Sequence, residues 1–600
     1  MTPWVRRVLG LLHLGGKHLP CVYNSRYAID VPGLRQDSRR SEHILTFLAM
    51  EGLIRRGDLE WAKPASFADL ARVHTEAYLT SLTETGGLVP MLGAAVGPEL
   101  EERVLAAQRF MAGGTAQAAR LALTARRTVV NLGGGLHHAH ADRGHGFCLV
   151  NDVAVAIRGL RAGGFVAPIL VVDLDLHDGD GTRSIFAEDE TVYTFSIHNQ
   201  NWDEGEAVAA TRLALGPGVE DAVYLQALRA HLPAVVAAVK PGLVFYLAGV
   251  DPAADDALGN WRISSQGLLE RDRLVFAELD RLPGLRPPVV VLLAGGYGTN
   301  AWRHSARSLS WLSTGGTALE PPSTEEIILK RYRFFASLVP DQYLTSRPKE
   351  NELGLSAEDL LPAGSPHTWP RFLDFYSPQG VELALERYGF LGRLRSMGFG
   401  ELALDFELEN PAGQTLRIFG DAARTELLVE LRLRRDRRAL PGRELLFVEW
   451  LLLQNPRASF TPDRPALPGQ KHPGLALLRD VVALFVLICD RLHLDGVVFL
   501  PAHFHIAAQA HSHAHFLTPE AEGRYLALER DLAPLGIGEA SQALASGRVL
   551  DETTGQTATW EPAPMVIPAS PAIAQQLVSP EHREQVAEVA ARHRFRLEAS

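Results

Sequence analysis

An aliphatic run, Pro168-Ile-Leu-Val-Val172, leads directly into Asp173, Asp175 and His177. A short β-branched run behind glycine and proline reads as a buried strand of a parallel sheet. Continued as a strand, the stretch turns Asp173, Asp175 and His177 to one face. Two carboxylates and an imidazole delivered by a buried strand are costly unless paired, and a divalent metal is the partner their chemistry asks for. The chemistry expected is metal-dependent hydrolysis.

Further candidates precede and follow this stretch. After a strand at Thr128–Asn131 and the glycines Gly133-Gly-Gly135 come His137, His138, His140 and His145, four histidines within nine residues. The glycines allow a tight bend and a close backbone approach. A helix from Asp152 to Leu160 then leads to the Asp173 strand. Such a strand–helix–strand unit implies parallel pairing, so both polar stretches end on one side of the sheet, where open α/β sheets bind ligands. Taken alone, the loop reads equally as a solvated histidine-rich segment. Asp251 closes another buried strand, Leu243–Val250. Tyr297, between glycines after the strand Pro288–Leu293, either points its phenol at the same rim or lids the loop. His74, in a helix spaced over Phe67–Leu79, reads as structural.

The elements that must position these residues fit a chain with more than one core, since 600 residues exceed what a single core supports. The spacing predicts a strand at 20–25, a loop with Pro32 and Gly33, and helices at 41–55 and 221–239. It also predicts a short strand at 61–64, a helical region at 99–124 interrupted at Gly113-Gly114, a strand at 190–198, a loop at 199–219 and a helix at 264–282. A net charge of −11 argues against a nucleic-acid binder. Three cysteines far apart carry no disulfide framework and suit a reducing compartment. Val8–Leu14 is too short and histidine-interrupted for a signal peptide, and the apolar run Val481–Cys489 is too short to span a bilayer. A soluble, cytoplasmic protein without a membrane partner is expected.

In order, the motifs resemble the histone deacetylase superfamily, which includes acetylpolyamine amidohydrolases and acetoin-utilisation proteins. They are His74-Thr-Glu-Ala-Tyr-Leu79, Gly134-Gly-Leu-His137-His138-Ala, Gly146-Phe147-Cys148 with Asn151-Asp152, Asp173-Leu-Asp175-Leu-His177-Asp-Gly-Asp180-Gly, Ala248-Gly-Val-Asp251-Pro and Gly295-Gly-Tyr297. The likeness spans about residues 20–315 and implies an arginase-like three-layer α/β domain with a mostly parallel eight-stranded sheet. It implies Asp175, His177 and Asp251 as ligands of Zn(II), with Fe(II) the alternative. His138 becomes the general base and His137 an electrostatic partner, oriented by Asp180 and Asp173 respectively. Tyr297 would donate to the scissile carbonyl, and Gly146 and Phe147 would line a substrate channel. Asp173, Asp175, His177, Ser196 and Ile197 match a structural monovalent-cation site, read as K+, and Arg40 an arginine near an internal acetate pocket. The implied activity is removal of an acetyl or other acyl group from acetyl-lysine or a small acetylated amine. An arginase-type ureohydrolase with two bridged metals, and a non-catalytic acetyl-lysine-binding regulatory protein, are the alternatives.

Departures from the family pattern touch the substrate rather than the centre. Asp178 stands where a second histidine is common, Asp255-Asp256 replaces a Gly-Asp pair, and Ala294-Gly-Gly shortens a glycine run. No second channel phenylalanine and no rim aspartate are found in residues 199–219.

The likeness implies a catalytic domain at 1–330; a stretch rich in Pro, Ser and Glu reads as a linker at 331–378, and the patterns beyond it as an α+β accessory domain at 379–600. The accessory domain opens with a helical stretch at 379–398. Period-two alternation then marks antiparallel strands around 402–408, 416–418 and 427–433, with a fourth at 444–453. A helix at 474–494 and a strand at 495–500 follow. The order is similar, weakly, to GNAT-type acetyltransferases, with Lys471–Ala476 where a pyrophosphate-binding turn would sit. Pro473 removes a backbone donor from that turn. His503 and His505, and His511, His513 and His515, have strand spacing and read as a metal site or a polar surface. A charged helix at 580–596 ends the chain. A protein partner could bind through this domain.

Overall fold

Eight short strands frame the first half of the chain: β1 (Cys21–Tyr23), β2 (Leu59–Trp61), β3 (Val129–Asn131), β4 (Ile169–Asp173), β5 (Val192–His198), β6 (Ala210–Ala214), β7 (Leu243–Leu247) and β8 (Val289–Leu292). They hydrogen-bond in the order β2-β1-β3-β8-β7-β4-β5-β6, and every pairing is parallel. Parallel strands need crossovers, and helices covering the sheet leave the central strands buried throughout. This is the expected α/β architecture.

The computed structural model describes residues 19–345 and 370–598, apart from 30–36, 55, 85, 87, 89–96, 285, 338, 462–464 and 578. The loop expected at Pro32 and Gly33, and residues 346–369 of the 331–378 stretch, lie outside the described residues. The chain divides into two compact units, Met1–Ile327 and Ile328–Ser600.

In the first unit, β3, β8, β7 and β4 are consecutive neighbours. The four loops leaving their carboxyl ends carry His137 and His138, Tyr297, Asp251, and Asp175 with His177. Sheet order therefore gathers what the sequence scatters over 160 residues.

Local structure departs from expectation at four places. β4 stops at Asp173, so Asp175 and His177 are not on one strand face with it. Short-range bonds replace the ladder there: Asp175 N donates to Asp173 Oδ1 (3.2 Å) and His177 N to Asp175 Oδ1 (3.0 Å). The helix expected at 67–79 breaks into Phe67–Leu70 and Glu76–Ser81, because Ser66 and Thr75 each cap a new start. The helix Pro98–Ala125 runs unbroken through Gly113-Gly114. A Cβ at Gly113 would sit 2.8 Å from Ala65 N, so this glycine serves a close approach rather than a break. Finally, β6 is an edge strand inside the expected loop 199–219, its Ala210 paired with Thr194.

The second unit holds β9 (Ala403–Glu407), β10 (Gln414–Phe419), β11 (Leu427–Asp436), β12 (Leu445–Leu453), β13 (Gly496–Phe499), β14 (His515–Phe516), β15 (Val549–Asp551), β16 (Gln556–Thr557), β17 (Met565–Pro568) and β18 (Phe595–Leu597). Seven form a mixed sheet in the order β14-β17-β13-β12-β11-β10-β9, and three form a second sheet, β16-β15-β18. The meander β9–β12 is antiparallel as its alternation predicts. β13 runs parallel to β12 and pairs with Leu445–Val448. The helix expected from Gly474 starts at Leu478, so Lys471–Ala476 precedes it as a separate turn, with Ala476 at φ 55°. Nor do the late histidines share a strand face. His505 lies in the helix Phe504–Ala510, His511 follows it, and His515 is in β14.

Candidate active site

The loop after β3 is shaped by groups the sequence places far away. Asp152, fully buried at the start of the helix Asp152–Ala162, accepts from Gly135 N (3.0 Å), Leu136 N (2.7 Å) and Thr115 Oγ1 (2.5 Å). Asn151 caps the same helix through Ala154 N and donates from Nδ2 to Ala139 O (3.2 Å). His74 works here as the structural histidine expected: its Nδ1 meets His140 O (2.9 Å) and its Nε2 accepts from Asn151 N (3.1 Å). Satisfying these buried backbone groups fixes the histidine pair.

His137 and His138 are both buried and their rings touch, with centroids 4.1 Å apart. Each gives its Nδ1 to a different carboxylate: His137 to Asp173 Oδ2 (2.7 Å) and His138 to Asp180 Oδ1 (2.8 Å). Their environments drive them apart. Burial opposes charge on His137, but Asp173 and Asp175 push it up to about 10. Burial and the adjacent His137 push His138 down to about 3. The two environments thus act in opposite directions, favouring the cation on His137 and the neutral imidazole on His138.

Beside them, Asp175, His177 and Asp251 offer three ligand atoms within 4.8 Å of one another. His177 Nδ1 faces Asp175 Oδ1 at 3.2 Å and Asp251 Oδ2 at 3.0 Å. Burial and the charge of Asp175 push the Asp251 carboxyl up. Two carboxylate oxygens and one imidazole nitrogen converging on a point fit a divalent ion. Two other histidine–aspartate groups, His138/His145/Asp180 and His140/Asp180/Asp203, share Asp180 and no residue of this set. Among the described residues, then, no carboxylate links the Asp175, His177 and Asp251 set to a second such group, the link that a dinuclear ureohydrolase would need. Asp180 is instead a hub, since His140 Nε2 (3.0 Å) and His145 Nδ1 (3.4 Å) also face its Oδ2.

The loop after β8 closes on the same place. Gly295 N donates to Asp175 Oδ2 (2.7 Å), and a Cβ at Gly295 would lie 2.6 Å from the Asp251 carboxyl carbon, so only glycine fits. Tyr297 N donates to Asp256 Oδ2 (2.6 Å) and its carbonyl accepts from Ala257 N (3.1 Å). Asp256 is thus a brace for Tyr297, and Asp255 anchors the next turn through His304 (2.8 Å) and Asn300 (3.0 Å). Burial, with the charges of Asp251 and Asp175, pushes the Tyr297 phenol well above 10. Arg40, buried, donates to the carbonyls of Leu293, Ala294 and Gly295 at 2.9–3.1 Å, behind this loop.

Gly146 and Phe147 both adopt positive φ, 52° and 65°. Gly146 presses its backbone on the His138 ring, where a Cβ would collide. Gln108 fixes the turn, donating to Phe147 O and accepting from Leu149 N, each at 2.7 Å. Phe147 is left 37% exposed. Between β4 and β5 the register sets Ser196 across from Asp173, next to Ile197.

One residue of the site was not anticipated. The indole of Trp202 stacks on His138 with ring centroids 4.0 Å apart and planes 3° apart. Trp202 is the sole aromatic between His198 and Tyr224, the signal that could have singled it out. Asp178, which stands where the family pattern commonly has a second histidine, pairs through both oxygens with Arg183 and accepts from Trp202 N (3.2 Å).

A family model described as the histone deacetylase domain matches residues 35–312. The chain is 36% identical over 292 residues to an uncharacterized protein of Picosynechococcus sp., covering 48% of this chain and 96% of that protein. It is 31% identical over 308 residues to a protein of Arabidopsis thaliana named histone deacetylase 2, covering 49% and 79% respectively. Among solved structures it is similar to a histone deacetylase homologue from Aquifex aeolicus, with 23% identity, a TM-score of 0.44, and coverage of 52% of this chain and 88% of that one.

Proposed function

The chain belongs to the histone deacetylase family, and on that premise we propose that its first unit is a zinc-dependent amidohydrolase removing an acetyl or other acyl group from an amine. The observation that carries this reading is the touching pair His137 and His138, each on its own carboxylate, beside three converging metal donors.

Asp175, His177 and Asp251 would hold the ion. When bound, a divalent ion supplies Lewis acidity to the scissile carbonyl and to the attacking water. With Nδ1 engaged by Asp180, His138 accepts the water's proton at Nε2 and returns it to the departing amine. His137 stays cationic on Asp173 and offsets negative charge gathering on the acyl carbon's oxygens. The Tyr297 phenol, kept protonated, donates to the carbonyl oxygen. Gly146 and Phe147 line the approach of the amine. A monovalent cation held by Asp173, Asp175, His177, Ser196 and Ile197 would tie β4 to β5 below the centre. The substrates in this reading are acetyl-lysine in a peptide or a small acetylated amine.

The test is hydrolysis of an acetyl-lysine peptide and of an acetylated diamine by zinc-loaded full-length protein, alongside His138→Ala. Turnover of at least one amide, lost in the variant, is expected. Equal turnover by the variant, or none by the wild type, would sink the reading.

A further inference from the structure

Two of the three converging donors, Asp175 and Asp251, leave the sheet where its ladder has ended. β4 stops at Asp173 and β7 at Leu247, so the carbonyls of Leu174 and Gly249 fall outside the strands, and both residues are buried. A buried carbonyl without a donor is costly. One side chain serves both: Arg271 Nη1 donates to Gly249 O (2.5 Å) and to Leu174 O (3.3 Å). The Tyr224 hydroxyl adds a longer bond to Leu174 O (3.5 Å). Arg271 lies in the helix Ser265–Asp280 and is itself fully buried. Its Nε and Nη2 each donate to Asp272 Oδ1 at 2.8 Å, and the Tyr246 hydroxyl of β7 anchors Asp272 in turn. Asp272 thus neutralises the guanidinium and fixes its plane, leaving the two protons of Nη1 for two carbonyls. Leu174 immediately precedes Asp175, and Gly249 stands two residues before Asp251. Gly249 is also wedged between the two donors, since a Cβ there would lie 2.9 Å from Asp175 Cα and 3.0 Å from Asp251 Oδ1.

We propose that Arg271 is a positioning residue of the metal centre. By bridging the carbonyls of Leu174 and Gly249 it sets the spacing of the two loops that bring Asp175 and Asp251 to one point. The inference rests on the reading of Asp175, His177 and Asp251 as the ligand set. β4 and β7 are neighbours in the sheet, but the ladder between them ends below the donors, and the donors carry like charge. A clasp on both loops holds them at one separation against that repulsion. The donors are then already gathered when an ion arrives, and less ordering is left for binding to supply. Arginine suits this place for its planar fork, which lets one group face Asp272 on one side and two carbonyls on the other. A lysine offers a single point of charge without that fork, and an apolar side chain would leave two buried carbonyls unpaired.

Zinc binding by the full-length protein tests this without turnover. Competition with a colorimetric chelator of known affinity gives the zinc Kd. Two variants remove the clasp: Arg271→Lys keeps the charge but loses the fork, and Arg271→Gln/Asp272→Asn leaves no lone buried charge. Each should raise the zinc Kd by about 10–100-fold, the usual cost of losing an outer partner of a metal site. Phe276→Leu, in the buried face of the same helix, lowers the melting temperature through packing alone and should keep the wild-type Kd. The visible spectrum of the cobalt-loaded protein, which reports ligand geometry, should shift in both clasp variants and stay unchanged in Phe276→Leu. Should the double variant fail to fold, Arg271→Lys decides. A wild-type Kd and spectrum in the folded clasp variants overturns the positioning role, as does an equal loss of zinc in Phe276→Leu. A wild-type protein that binds no zinc overturns the ligand set and this role with it. One that holds zinc yet hydrolyses no amide overturns the deacylase reading alone, and the clasp variants still decide the role of Arg271.

Discussion

His137 and His138 are adjacent in sequence and in contact in space, yet they reach different carboxylates, Asp173 at 2.7 Å and Asp180 at 2.8 Å. The division matters because it sets two protonation states side by side. Removing the neutral partner should cost the proton transfer itself. His138→Ala is expected to lower kcat by about 10²–10⁴ with zinc content unchanged. Asp180→Asn, which leaves His138 in place but takes away the charge at its Nδ1, should cost less. Steady-state kinetics with elemental analysis on the same samples checks both, and an Asp180→Asn defect larger than that of His138→Ala would contradict the assignment.

Ion binding is expected to be mononuclear. Asp175, His177 and Asp251 form a set that shares no residue with the neighbouring histidine–aspartate groups. Metal removal by a chelator should abolish hydrolysis, and zinc should restore it at about one ion per chain, as in a three-ligand catalytic site. Asp251→Asn should lose most of the bound ion while its circular dichroism stays that of the wild type. Two tightly held ions per chain would favour the ureohydrolase chemistry instead.

Tyr297 is braced through its backbone by Asp256, so its side chain can be trimmed without freeing the loop. Tyr297→Phe should reduce kcat by about 10²–10³, the usual cost of one oxyanion donor, with KM and melting temperature little changed. If KM rises while kcat holds, the phenol binds substrate rather than the transition state.

Much of this site was legible in the sequence because its parts obey local rules. The Asp173–Gly181 stretch carries two of the three converging metal donors, the carboxylates that meet His137 and His138, and two glycines within nine residues, and alternating strands and helices fix on which side of the sheet they emerge. What was not legible depends on contacts across the fold. Nothing near Asp178 in sequence says that Arg183 will neutralise it, since that pairing needs the turn after His177 to fold back as a helix. Trp202 is one aromatic in a polar loop, and it gains meaning only when β5 and β6 close that loop over His138. The Gly113-Gly114 pair is illegible for the same reason. A glycine pair in a helix looks like an interruption until the Ala65 backbone packs against it. In the second unit, strand alternation announced the β9–β12 meander, whereas β14 to β18 are too short to carry a period.

The histidines that end the second unit give a prediction about stability. Glu522 is buried, and its Oε1 faces His511 Nε2 at 3.2 Å and His515 Nδ1 at 3.3 Å, while its Oε2 accepts from Phe516 N at 2.7 Å. Burial works against this carboxylate, but the hydrogen bonds from His511 and His515 bring it down to about 2. A carboxyl whose pKa falls on folding adds stability above its unfolded value, near 4.3, and that stability drains as pH falls towards the folded value. His515 has the opposite sign. Its hydrogen bond to Glu522 raises it, so its contribution is complete below its unfolded pKa and is lost as pH rises through the raised folded value. The cluster should therefore hold best between about pH 4.5 and 6.5. Hydrogen exchange over residues 511–525, corrected for intrinsic rates, reads it directly. At pH 5.5, Glu522→Gln should lower protection by roughly 1–3 kcal/mol, the cost of unpairing a buried hydrogen-bonded group. The gap to wild type should close as pH falls from 4.5 towards 2. Equal protection of wild type and variant at pH 5.5 would show that Glu522 does not organise these histidines.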